Sequence, residues 1–230
     1  MCGRFALYAD TALIRERFQL RDLPTGFAPH YNFAPSLPLL TIRPDAQGGR
    51  VARMRRWGLV PHWAADAKIG NKLSNARAET AWQKPSFRDA FHIGRCIISA
   101  SGYYEWQTRE EGGKLVKQPY YLYAQSGETL AMAGLVSLWI APDGSKLPTC
   151  CVLTTTPNNM TAEIHERMPV LLTSPAAEEI WLNDDSPLGA VRELCAPCNE
   201  NYLLTHMVSR RVNAARENDS GLMAIYADPQ

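Results

Sequence analysis

The chain has 230 residues, enough for one large domain with a well-buried core or for two small ones. Hydrophobic residues make up 46% of it and charged residues 20%, which excludes wholesale disorder, and no apolar run approaches the roughly 20 residues that cross a bilayer. The net charge of +1 hides an asymmetry, since residues 1–100 carry 15 basic and 7 acidic side chains and residues 101–230 carry 9 and 16, so charge alone neither demands nor excludes a nucleic-acid partner.

The opening MCGRFALYADTALIRERF breaks its apolar residues with Arg4, Asp10, Arg15 and Arg17, where a secretory leader needs an unbroken apolar core. Within it, ADTALIRERFQL has the spacing of an amphipathic helix. HYNFAPSLPLLTIRP follows, and Pro35 and Pro38 make it a loop leading into a strand. VARMRRWGLV, residues 51–60, predicts a strand that ends at Gly58 before Pro61. RCIISASGYYEW is a β-branched run meeting Gly102, followed by a polar, glycine-containing hairpin segment and a second run, PYYLYA. LAMAGLVSLWI and CCVLTTTP predict further strands. TSPAAEEIWL and PLGAVRELC predict short helices, the first capped by Ser174. The sum is a strand-rich α+β chain. No repeat, heptad or low-complexity linker divides it, so we expect a single domain over residues 1–230 with a loosely held tail from about residue 221.

Several familiar chemistry signals are absent, among them the phosphate-binding P-loop, the H-E-x-x-H metal motif and the G-x-S-x-G nucleophile elbow. Of the six cysteines, Cys195 and Cys198 have the spacing of half a zinc knuckle but lack a matching pair. Cys150 and Cys151 are neighbours on a predicted strand and point to opposite faces, so they read as core thiols. The sequence therefore implies no metal and no organic cofactor. A chain this large and apolar needs no disulfide staples, which implies a reducing, cytoplasmic compartment, nucleoid-associated if the source is bacterial.

Cys2 differs from the other thiols by position. Removal of Met1 would leave an α-amine and a thiol on adjacent atoms of one residue. Such a 1,2-aminothiol attacks an aldehyde with nitrogen to form a Schiff base, and then closes through sulfur to a five-membered thiazolidine.

Six blocks occur in order: MCGRF, YNxAP (Tyr31 to Pro35), WGLVPxW (Trp57 to Trp63), NARAET (Asn75 to Thr80), GYYEW (Gly102 to Trp106) and HxRMPV (His165 to Val170), with a weaker match at HMVSRRVN. With these blocks the chain resembles the SOS response-associated peptidase (SRAP) family, whose bacterial and human members process abasic sites in DNA. The resemblance implies a compact, mixed, barrel-like sheet architecture with peripheral helices and a central cleft. It further implies self-processing of Met1, and a covalent cross-link between Cys2 and the ring-opened sugar of an abasic site in single-stranded DNA, with associated lyase chemistry. The expected partner is single-stranded DNA with abasic sites, including replication-associated junctions, bound by a monomer with no membrane contact.

The candidate catalytic residues are Cys2, Asn75, Glu105 and His165. Glu105 follows a strand-like run that could aim its carboxylate. An imidazole such as that of His165 moves protons near neutral pH. The amide of Asn75 both donates and accepts. From the resemblance, Asn75 positions Cys2, Glu105 assists imine formation and His165 assists sugar-ring opening. Arg4, Arg77, Trp63, Arg53 and Arg55 are the candidate DNA-binding residues, arginine for its forked fit to phosphate and Trp63 for stacking on a base. Glu79 is expected to be a support residue. Two other classes stay open, an N-terminal-nucleophile thiol amidase and a noncovalent single-stranded DNA module.

Overall fold

A computed structural model describes residues 2–226. Thirteen strands appear in chain order: β1 (Arg4–Leu7), β2 (Leu20–Asp22), β3 (His30–Phe33), β4 (Pro38–Pro44), β5 (Arg50–Trp57), β6 (Asn75–Arg77), β7 (Arg95–Ala100), β8 (Gly102–Glu111), β9 (Lys114–Ala124), β10 (Leu130–Ile140), β11 (Lys146–Thr155), β12 (Met168–Pro169) and β13 (Leu203–Met207). Six short helices lie between them: α1 (Thr11–Phe18), α2 (Ala78–Ala81), α3 (Arg88–Ile93), α4 (Asn159–Ala162), α5 (Pro175–Leu182) and α6 (Leu188–Glu193).

The strands form two sheets. In the larger one, β11, β10, β7, β4 and β5 are joined in sequence, and a parallel pairing of Thr149 with Arg56 and of Cys150 with Trp57 brings β5 back to β11. That last pairing closes a five-stranded barrel whose strand β7 is buried on both faces, as the consecutive and fully buried Ile97 and Ile98 show. β6 adds to β11 in parallel, with Asn75 opposite Val152 and Arg77 opposite Thr154. The second sheet has the order β13, β9, β8, β1, β3.

Local chemistry explains the elements. Asp10 caps α1 by accepting from the Ala12 amide at 2.7 Å, and Ile14 and Phe18 turn its apolar face inward. The β8–β9 hairpin turns at Gly112 and Gly113, both at positive φ, as a tight two-residue loop requires. Ser174 caps α5 through the Ala177 amide, with Pro175 in its first turn. The run RCIISASGYYEW breaks at Ser101 into β7 and β8, which lie in different sheets.

The second sheet is covered on both faces. Phe5, Leu7 and Tyr103 face the main core, while Ala6, Tyr104 and Tyr121 pack against Val208, Val212 and Leu222 of the C-terminal segment. The tail expected from about residue 221 begins with the fully buried Leu222, and residues 227–230 lie outside the described residues. No helix among the described residues is long and apolar enough to cross a membrane.

Candidate active site

Strands β6 and β8, the segment before β1 and the turn after α4 bring the four candidate catalytic residues together. In the β1–β8 ladder Arg4 sits opposite Tyr104, so the residues just before Arg4 come level with Glu105. Cys2 is thereby drawn into the core, with 3% of its surface exposed. Its carbonyl oxygen accepts a hydrogen bond from Asn75 Nδ2 at 2.9 Å, and its thiol lies beside the Glu105 carboxyl. Asn75 heads β6, and its neighbour Ala76 is fully buried, which points Asn75 and Arg77 to the other face. His165 follows α4 and places Nε2 3.8 Å from Glu105 Oε2.

His165 Nδ1 lies 3.0 Å from the Arg167 amide nitrogen and 3.2 Å from the Arg167 carbonyl oxygen; in the tautomer in which that amide donates to Nδ1, the ring proton sits on Nε2, the nitrogen that faces Glu105. Arg167 is itself clamped: it forms a two-pronged pair with Glu79 at 2.6 and 2.9 Å and donates to the Thr154 carbonyl at 2.5 Å. Glu79 therefore supports the site at one remove.

Burial dominates the electrostatics. It holds the Glu105 carboxyl above its ordinary value, and the neighbouring His165 and Cys2 only partly oppose it. It also pushes the Cys2 thiol well up, an effect reinforced by the negative charge of Glu105. Tyr103, 1% exposed and on the same face of β8 as Glu105, has its phenol raised by burial and then by Cys2 and Glu105. Asn75 Oδ1, Glu105 Oε1 and Tyr103 Oη are all buried with no hydrogen-bond partner among the described residues. These atoms have spare hydrogen-bonding capacity beside the nucleophile.

The five candidate DNA-contacting residues are not gathered in one place. Arg77 is exposed two residues beyond Asn75, and its charge helps hold Glu79 ionised. Arg4 lies across the second sheet, where it donates to Asn32 Oδ1 at 2.9 Å and to the Val212 carbonyl at 2.7 Å. Arg53 pairs with Asp22 at 2.6 Å. Arg55 donates to Thr41 Oγ1, and it lines a cavity of about 390 Å³ together with Pro61 and Trp63. None of the four catalytic candidates lines that cavity. Trp63 is 52% exposed at its rim and donates to the Pro85 carbonyl at 3.4 Å. Tyr103, Gln107 and Arg167 belong to the site although the sequence reading singled out none of them. Strand alternation from Glu105 was the available signal for the first two, and the HxRMPV block for the third.

The sequence profile described as SOS response associated peptidase (SRAP) matches residues 1–215. The chain belongs to the SRAP family. It is 40% identical over 226 residues to the abasic site processing protein YoqW of Bacillus subtilis, a match covering 97% of this chain and 99% of that one. It is 33% identical to the abasic site processing protein HMCES of Gallus gallus, covering 95% of this chain and 76% of the other. Its fold is similar to that of a protein from Bacteroides thetaiotaomicron, with a TM-score of 0.87 at 25% identity over 98% of this chain and all of the other. The strand-rich SRAP fold expected from the sequence blocks is thus the fold observed, with the barrel closed by β5 and β11.

Proposed function

We propose that the mature protein begins at Cys2 and captures abasic sites in single-stranded DNA as a thiazolidine. The observation that carries this reading is the placement of residue 2, held by its carbonyl to Asn75, with its thiol beside Glu105 and His165 behind Glu105. The α-amine adds to the aldehyde carbon of the ring-opened sugar. The resulting carbinolamine loses water as Glu105, whose burial favours its protonated form, supplies a proton. Cys2 sulfur then attacks the iminium carbon while the thiol proton passes to Glu105, which regains the proton it gave up. Aldehyde and aminothiol become thiazolidine and one water, and no redox partner is needed. His165 Nε2–H, aimed at Glu105, serves the proton transfers of ring opening. Arg77 on the exposed face beside Asn75 is the best-placed phosphate contact.

The thiol amidase reading fits less well. An amidase thiol is activated by a neighbour that lowers its pKa, whereas Cys2 is pushed the other way by burial and by the Glu105 carboxyl beside it. A noncovalent binder has no use for a buried aminothiol.

The deciding comparison uses single-stranded DNA with an aldehydic abasic site. Mature protein should form a denaturation-resistant adduct mapped by mass spectrometry to the nitrogen and sulfur of residue 2. Cys2→Ser keeps the amine and should give only an imine that borohydride traps. A stable adduct of equal yield in Cys2→Ser, or a cross-link on another residue, overturns the mechanism. Intact mass gives a separate check, since retention of Met1 in adduct-forming molecules would rule out α-amine chemistry at Cys2.

A further inference from the structure

His165 is useful only if its ring keeps its place against Glu105, and the turn that carries it sits at the end of a four-residue helix, α4. The last carbonyls of a helix lack partners within it. One of them, the Glu163 oxygen two residues before His165, accepts from Gln107 Nε2 at 2.7 Å. Gln107 lies two residues beyond Glu105 on β8 and hence on the same face of the strand. Its amide is held in turn: Tyr120, which pairs with Glu105 across the β8–β9 ladder, donates its hydroxyl to Gln107 Oε1 at 3.1 Å. A flipped amide would set two carbonyl oxygens against each other at Glu163, so that acceptor fixes its orientation.

We infer that Gln107 is a positioning residue that fixes the His165 turn against Glu105, with Tyr120 anchoring its amide. One strand thus carries both the acid and the strut that holds its partner. The turn is gripped before His165 by Gln107 and after it by the Arg167 amide, which donates to Nδ1. Loss of the first grip frees the ring to swing about the second. Reacting groups displaced by about 1 Å lose up to about a hundredfold in rate, and one hydrogen bond accounts for about a tenth of that factor.

The role in catalysis rests on the proposed function, and the experiment separates the two. Gln107→Met keeps length and removes both hydrogen bonds. In mature protein it is expected to slow adduct formation about tenfold, yet less than twofold when His165 is already alanine, because Gln107 acts through the ring. Binding to undamaged single-stranded DNA should not change. Without any DNA, the Ile164 and His165 amides should exchange hydrogen faster in Gln107→Met. Tyr120→Phe gives the same pattern if Gln107→Met fails to fold. Equal slowing in both His165 backgrounds, or unchanged amide exchange, overturns the inference. If wild-type protein forms no adduct, the proposed function falls and the exchange measurement alone decides the role of Gln107.

Discussion

Glu105 sits where its charged form is least welcome, and stability and chemistry therefore pull in opposite directions there. Burial raises its pKa in the folded state above that of the unfolded chain. For a group shifted upward, the stability it contributes is full below the unfolded value, roughly pH 4, and is lost as pH rises through the folded value. Glu105→Gln should then melt at a higher temperature than wild type at neutral pH and at the same temperature in acid, while forming adduct more slowly and binding undamaged DNA equally well. Melting curves from pH 4 to 8 beside the adduct assay check both halves, and equal losses in adduct formation and binding would assign Glu105 a structural part. Tyr103 makes a second case. Its hydroxyl is buried without a partner among the described residues, so Tyr103→Phe should leave stability unchanged or raise it. A loss above about 1 kcal/mol in denaturant unfolding would show that the hydroxyl has a bonding partner.

At the scale of elements, Gly58 shows why the WGLVP block has its form. Its φ is +124°, and a Cβ there would lie 2.5 Å from the Gly70 carbonyl oxygen; a Cβ on Gly70 would lie 2.6 Å from that of Gly58. Two backbones meet where neither residue can carry a side chain. Gly58→Ala should cost about 3 kcal/mol or more in denaturant unfolding, strain and overpacking acting together. Elements with a strong local pattern were legible in the sequence: α1 from its apolar spacing, the β8–β9 hairpin from its glycines, α5 from Ser174 and Pro175. Others were not. β6 has three residues, too few to show a period, and it exists because β11 offers it a parallel edge. β3 was read as loop since four residues before Pro35 carry little alternation. The four catalytic candidates were legible through sequence blocks and position, but the direction of Arg4 depended on which face of β1 it shares. Nor could local pattern show that Arg95, which opens β7, is buried and binds the carbonyls of Phe91, His92, Trp181 and Asn183 at the ends of α3 and α5.

At the scale of the whole molecule, the C-terminal segment is a strap over the outer face of the second sheet. Asn32 Nδ2 donates to the carbonyls of Val212, Ala214 and Glu217, Arg4 donates to those of Val212 and Asn213, and Val208 bonds Pro119. A chain ending at Ser209 would strip Arg4 and Asn32 of these partners and uncover Tyr104 and Tyr121. Such a truncation should melt well below the full chain and be cut readily by protease in the β1–β8–β9 region, and unchanged melting would show that the strap is dispensable. The same enclosure governs the sulfur inventory. All six thiols are buried, and burial pushes each of them above the ordinary cysteine value. Peroxides and alkylating agents consume the thiolate, so the folded chain should keep its six thiols through an oxidant dose that destroys them once guanidinium opens the fold. In the proposed mechanism Cys2 must still be a thiol when the aldehyde arrives. The closed fold that hides it gives that thiol shelf life in the reduced form.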